Sequence, residues 1–466
     1  MFRRLIRMFV LVVALSTQSL LAQSEPKAWN ANEVQKILQQ RVDVDKQCAG
    51  IAVGIINEKG NQVIGYGALR KSDGSVMPDR DTVFEIGSVT KVFTTLLLAD
   101  MVGRGEVALS DPASKYLPPT VTMPSRDGCE ITLLDLATHT SALPSLPDNF
   151  RPVDGLNPYA DYTVPQMYAA LSNCKLTREI GKKYEYSNLG MGLLAHILAN
   201  RAGTDYETLV AERITKPLGM NDTAITLTTK MKKRLAAGHS EALEEVKNWD
   251  LPTLAGAGAL RSTVGDMIKF VEASMGKTES PLSAAIGLQT ETRFPAGSPN
   301  LSIALAWHKS AIKGGEIVWH NGQTGGFHSF IGFDKKRGVG VVVLANTAAD
   351  IDDIGLHLLN REIPLRKFEA KKDRTAIKID PKILDGYVGD YELVPTFVIA
   401  ITKQDDHLML QATGPPQFEL FAESEKEFFL KVVDAQITFV KDGAGKVTEL
   451  VLHQAGAHQK AKKRPR

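Results

Sequence analysis

The stretch FEIGSVTKVFTTLLLADMV, residues 84–102, decides how this chain is read. From Val92 onward its apolar run predicts a helix. At the start of that run sit Ser88 and Lys91, three positions apart. Residues i and i+3 share one helical face, so the hydroxyl and the amine can touch within the first turn. Amide N–H groups at a helix start favour negative charge. A lysine withdrawn from water binds its proton less tightly and can act as a base. The same four letters also fit a serine N-cap with a solvated lysine. The S-x-x-K pattern recurs at Ser24, Ser172, Ser274 and Ser310. Only Ser88 follows a glycine and opens a long apolar run.

Two further motifs bear on that choice. Tyr186-Ser187-Asn188 precedes a second apolar helical stretch. A phenol held near an ammonium loses its proton more easily and can serve as general acid and base. An asparagine offers a donor and an acceptor to a substrate amide. Taken singly, a buried tyrosine and an asparagine cap fit these residues as well. The third motif lies in VWHNGQTGGFHSFIGF, residues 318–333, where His320-Asn321-Gly322 ends a β-run. Small residues there let a substrate approach the strand edge. The backbone N–H of Gln323 could pair with that of Ser88 as an oxyanion hole.

In this order and spacing, the three motifs resemble the serine β-lactamase and penicillin-recognising superfamily. The nearest type is class C, with its DD-peptidase and esterase relatives. The resemblance covers about residues 29–361 and extends to ITLLDLATHTSALP from Ile131 and GAGALRSTVGDMIKF from Gly256. It implies an acyl-enzyme on Ser88, activated by Lys91, with Tyr186 sharing the base role and protonating the leaving nitrogen. It makes Asn188, His320, Asn321, Gly322 and Gln323 the substrate-binding residues, and it implies no cofactor. The expected reaction is hydrolysis of a β-lactam amide. A D-Ala-D-Ala carboxypeptidase, D-amino-acid peptidase or esterase is the first alternative, and a non-enzymatic penicillin-binding sensor the second. His320 stands where class C enzymes carry a lysine. A histidine near its reference pKa of ~6.5 supplies only part of that positive charge at neutral pH.

The remaining sequence frames this site. Arg3, Arg4 and Arg7 precede an apolar run from Met8 to Leu15, and Ala22 offers a cleavage site. Residues 1–22 therefore read as a signal peptide, and the mature protein as periplasmic or secreted. The run is too short to span a bilayer, so no stable membrane span is expected. The formal charge of +2 falls to −1 without those three arginines, which speaks against a nucleic-acid partner and leaves a small-molecule or peptide substrate. Three cysteines, Cys48, Cys129 and Cys174, allow at most one bridge. No His/Cys/Asp/Glu cluster is visible, so no metal site is expected.

Strand-like runs at both ends, with helices between, predict an α+β hydrolase domain over residues 23–367. It should hold one antiparallel sheet flanked by helices, plus an all-helical region. A charged linker over 368–382 leads to a small all-β, barrel-like domain over 383–456. Residues 457–466 read as a short basic tail.

Overall fold

The computed structural model describes residues 29–70, 76–368, 374–394, 397–412, 417–432, 435–454 and 457–464. The signal peptide expected over residues 1–22 lies outside them. The larger domain is built on an eight-stranded antiparallel sheet drawn from both ends of its sequence, as the α+β reading expects. Gly50–Asn57 pairs on one side with Gly60–Gly67 and on the other with Val339–Ala345, placing Ile51 opposite Ala345. The sheet continues through His328–Asp334, Gly315–Gln323 and His308–Ile312 to two short outer strands.

Period-two alternation divides the sheet residues between two cores. Ile51, Val53 and Ile55 pack with Val34 and Leu38 of the helix Ala31–Gln39 and with Ile354 and Leu358 of the helix Asp352–Leu359. Ala52 and Ile56 face the opposite, larger core with Leu96 and Leu97 of the helix Thr90–Gly103 and Val271 of the helix Val264–Met275.

The helix Thr90–Gly103 is the axis of that larger core. Every residue from Thr90 to Met101 is buried, as an all-round apolar surface requires. Its polar side chains find partners inside: Thr94 Oγ1 donates to the Gly256 carbonyl at 2.8 Å and Thr95 Oγ1 to that of Leu305 at 2.9 Å. Satisfied in this way, they can be buried without a desolvation penalty.

The second domain is a closed eight-stranded antiparallel barrel. Here the expected basic tail is replaced by structure. Ala457–Lys463 is a strand that pairs with both Val447–Gln454 and Gly389–Val394 and closes the barrel. Closure removes the open edge that either neighbour would otherwise expose. Ala461 is buried in the barrel core, while Lys460 and Lys462 point outward. A single inward alanine among lysines is too faint a pattern to read as a strand. The expected linker is also partly folded. Ile377 N–H donates to the Ala422 carbonyl at 2.8 Å, and the short helix Pro381–Leu384 sends Leu384 into the barrel core. All three cysteines are free thiols.

Candidate active site

Ser88 lies in a 3-10 turn, Gly87–Val89, directly ahead of the helix Thr90–Gly103. No side chain caps that helix, so the Ser88 hydroxyl is not used as an N-cap. It accepts instead from Lys91 Nζ at 2.8 Å, and Nζ also donates to the Ala257 carbonyl at 2.6 Å. Lys91 is fully buried, and burial alone drives its pKa well below the ordinary lysine value. The amine is therefore poised to be neutral and to accept the serine proton.

Tyr186 faces this pair from the neighbouring loop. Lys91 Nζ lies 4.7 Å from its ring centroid, and the Ser88 hydroxyl acts on its phenol to favour the ionised form. Burial pushes the phenol pKa above its usual value, and this outweighs the opposing effect of Ser88. The resting tyrosine is thus a protonated donor, which corrects the expectation of a readily ionised phenol. Its ring stacks on His139 at 4.5 Å, and the Ser187 N–H donates to His139 Nδ1 at 3.1 Å. Ser187 caps the helix Asn188–Ala202, with its Oγ accepting from Gly190 N–H at 2.9 Å. That cap makes Asn188 the first helical residue. Tyr159 and Asn188 line the same cleft.

The strand Gly315–Gln323 forms the other wall. Two glycines permit its approach. A Cβ on Gly322 would lie 2.1 Å from the Ile86 carbonyl oxygen and 2.8 Å from the Ser88 amide nitrogen. A Cβ on Gly87, at φ +47°, would lie 2.8 Å from the Gln323 amide nitrogen. The backbones bearing the Ser88 and Gln323 amides therefore run side by side with no side chain between them.

His320 differs from its expected role. It is fully buried, and its Nδ1 lies 2.6 Å from the Asn321 carbonyl oxygen. A carbonyl only accepts, so Nδ1 carries the proton in the neutral ring. Burial, together with nearby His308 and Lys91, holds its pKa well below the usual histidine value. His320 therefore supplies no positive charge to a substrate carboxylate at neutral pH, and it sits behind the cleft wall.

Asn321 is oriented from behind. Its Nδ2 donates to Asp352 Oδ2 at 2.5 Å, and Asp352 Oδ1 meets His328 Nε2 at 3.0 Å. His328, Asp350 and Asp352 bring ligand atoms within 4.8 Å of one another, a cluster the sequence did not reveal because the fold joins residues over twenty positions apart. Arg366 bonds Asp350 at 2.7 Å. These charges therefore have protein partners, and the cluster acts as a tie for Asn321.

Ser88, Tyr186, Asn188, Asn321, Gly322 and Gln323 all line one cleft of about 560 Å³, within the usual size range of small-ligand sites. Lys91 and His320 stand behind it. The cleft also includes Tyr159, Trp249, Glu241, His328 and Val432, none of which carries a recognisable motif. Tyr159 and Trp249 do pack together, with ring centroids 5.4 Å apart.

Comparison with known proteins identifies the family. A family model described as Beta-lactamase matches residues 34–361, and a domain of unknown function (DUF3471) matches residues 373–464. The D-alanyl-D-alanine-carboxypeptidase/endopeptidase AmpH of Escherichia coli K12 is 33% identical over 321 residues, covering 63% of this chain and 78% of the relative. A β-lactamase of Pseudomonas fluorescens is 27% identical over 350 residues, covering 68% of this chain and 94% of the relative. Among solved structures, the D-alanine carboxypeptidase AmpC of Burkholderia cenocepacia superposes with a TM-score of 0.60 at 26% identity, covering 71% of this chain and 99% of that one. A β-lactamase/D-alanine carboxypeptidase of Yersinia pestis superposes at 0.62 with 26% identity, covering 73% and 100%. With the family model spanning most of its length and the serine–lysine–tyrosine arrangement in place, the chain belongs to the β-lactamase family of serine hydrolases.

Proposed function

We propose that this protein is an exported hydrolase that forms an acyl-enzyme on Ser88, with D-Ala-type peptides and esters as its substrates. In acylation, Ser88 Oγ attacks the scissile carbonyl while its proton passes to Lys91 Nζ. The Ser88 and Gln323 amides hold the oxyanion. The Tyr186 phenol then protonates the leaving nitrogen, and the carbon–nitrogen bond breaks. Asn188 and Asn321 orient the acyl group. In the second half, water attacks the ester carbon with Tyr186 and Lys91 as the proton-handling pair, and Ser88 leaves with its proton restored. Export rests on the N-terminal sequence signal. Among the described residues, no helix is long and apolar enough to cross a membrane.

The observation that carries this reading is the buried Lys91 amine on Ser88 Oγ, 2.8 Å away. The preference for esters and internal D-Ala linkages over β-lactams rests on His320. A β-lactam and a peptide ending in D-Ala both carry a carboxylate that gains from a fixed cation, and the neutral, buried imidazole supplies none to either, so substrates without a carboxylate there are favoured. β-Lactam hydrolysis is the second reading, supported by the similarity to the P. fluorescens enzyme.

A steady-state panel separates the readings. The proposal expects turnover of D-Ala peptides, internal D-Ala linkages or simple esters, with far slower turnover of a chromogenic cephalosporin. Fast multiple turnover of the cephalosporin would establish the second reading. One stoichiometric burst on every substrate would mark a penicillin-binding sensor and defeat both.

A further inference from the structure

The barrel contributes to the cleft. Val432 lies on the turn between the barrel strands Glu427–Phe429 and Ala435–Lys441, and it lines the same cleft as Ser88, Tyr186 and Asn188. More than 300 residues separate it from Ser88 in sequence. The described residues flanking Val432 are held in place. Leu430, buried in the barrel core, donates its N–H to the Ala435 carbonyl at 3.0 Å. Lys431 Nζ lies 3.8 Å over the Phe421 ring. Between these anchors Val432 is 39% exposed, one of few large apolar side chains on the surface of the described residues. An exposed valine buries little surface in the barrel. Facing a cleft, it offers an apolar contact surface.

We propose that the barrel is a working part of the catalytic cleft, with Val432 as a specificity-determining residue. It touches the portion of substrate that extends from Ser88 toward the second domain. This inference rests on the acyl-enzyme reading above. It gives the barrel a role in substrate selection, and it makes a charge at position 432 visible to the substrate. No lysine or arginine lines the cleft among the described residues, so a new charge there acts against a background without a competing cation.

The test uses the full chain and two matched esters that differ only in a carboxylate or a neutral amide at the distal end. Val432 is exposed, so Val432→Lys and Val432→Glu leave the barrel core untouched. Val432→Lys should raise the kcat/KM ratio of carboxylate to neutral ester by about threefold or more, and Val432→Glu should lower it by a similar factor, as expected for charges several Å apart in a partly desolvated cleft. The change should fall mainly on KM. Ratios in both variants indistinguishable from the unmodified protein would overturn the proposal. A Ser88→Ala protein run in parallel keeps the two ideas separate. If it retains turnover, the acyl-enzyme reading fails. If it is inactive while the Val432 variants behave normally, only the barrel's role fails.

Discussion

Acid should destabilise the hydrolase domain through its buried histidines, and His308 gives the effect a size. His308 is buried against Trp319 and His320, with ring centroids 4.8 and 5.2 Å away, and its Nε2 meets the Tyr184 hydroxyl at 3.0 Å. Burial lowers its pKa from 6.5 to about 4. The unfolded chain therefore binds more protons than the folded one between these two values. Stability is fully present above pH 6.5, falls as pH drops toward 4, and is not reduced further by this group below that. The drop from 6.5 to about 4 sets a ceiling of about 3 kcal/mol, of which about 2 kcal/mol is lost between pH 7.5 and pH 5. His139 and His320 are shifted in the same direction by burial and add to the loss. The perturbation is His308→Gln, which does not titrate and can still accept from Tyr184. Urea unfolding followed by tryptophan fluorescence reports this domain, because all four tryptophans lie between residues 29 and 319. The loss between pH 7.5 and pH 5 should be about 2 kcal/mol smaller in the variant than in the parent. Any constant cost of the substitution cancels in that difference. Equal pH slopes in the two proteins would refute the reasoning.

Three substitutions probe the cleft. Lys91→Met removes a desolvated amine, so the melting temperature should hold or rise while kcat/KM falls by about 10²–10⁴; a lower melting temperature would assign Lys91 a structural role. Tyr186→Phe should slow amide cleavage by about 10²–10⁴ but slow a nitrophenyl ester far less, because that leaving group needs no proton. Equal losses on both substrates would remove Tyr186 as the acid. Gly322→Ala places a methyl 2.1 Å from the Ile86 oxygen and should cost about 1–3 kcal/mol with loss of activity. Normal kinetics in that variant would mean the strand does not hold the Ser88 turn.

The candidate site was legible because each motif is local. Ser88 with Lys91, Tyr186 with Asn188, and Asn321 with Gly322 are fixed by a single turn or strand apiece, and their order along the chain matched a known family. The central strands and the buried helix were legible from their apolar runs. What escaped depends on distant packing. Whether His320 is charged is set first by its burial, and then by nearby His308 and Lys91, all of which arise only in the folded sheet. The tie from Asp352 to Asn321 crosses from a helix start to a strand. The closing strand Ala457–Lys463 carries too many lysines to read as β-structure, because among its described side chains only Ala461 is buried in the barrel. Val432 is a surface valine in sequence terms, and only the placement of the barrel brings it to the cleft.

The central claim is that Ser88 is the acylated nucleophile, and intact-mass measurement tests it most directly. After brief incubation with a fluorophosphonate or a slowly turned-over β-lactam, the protein should gain the mass of one acyl or phosphonyl group, peptide mapping should place it on Ser88, and Ser88→Ala should show no gain. An equal adduct on the Ser88→Ala protein, or an adduct mapped to another residue, would contradict the account.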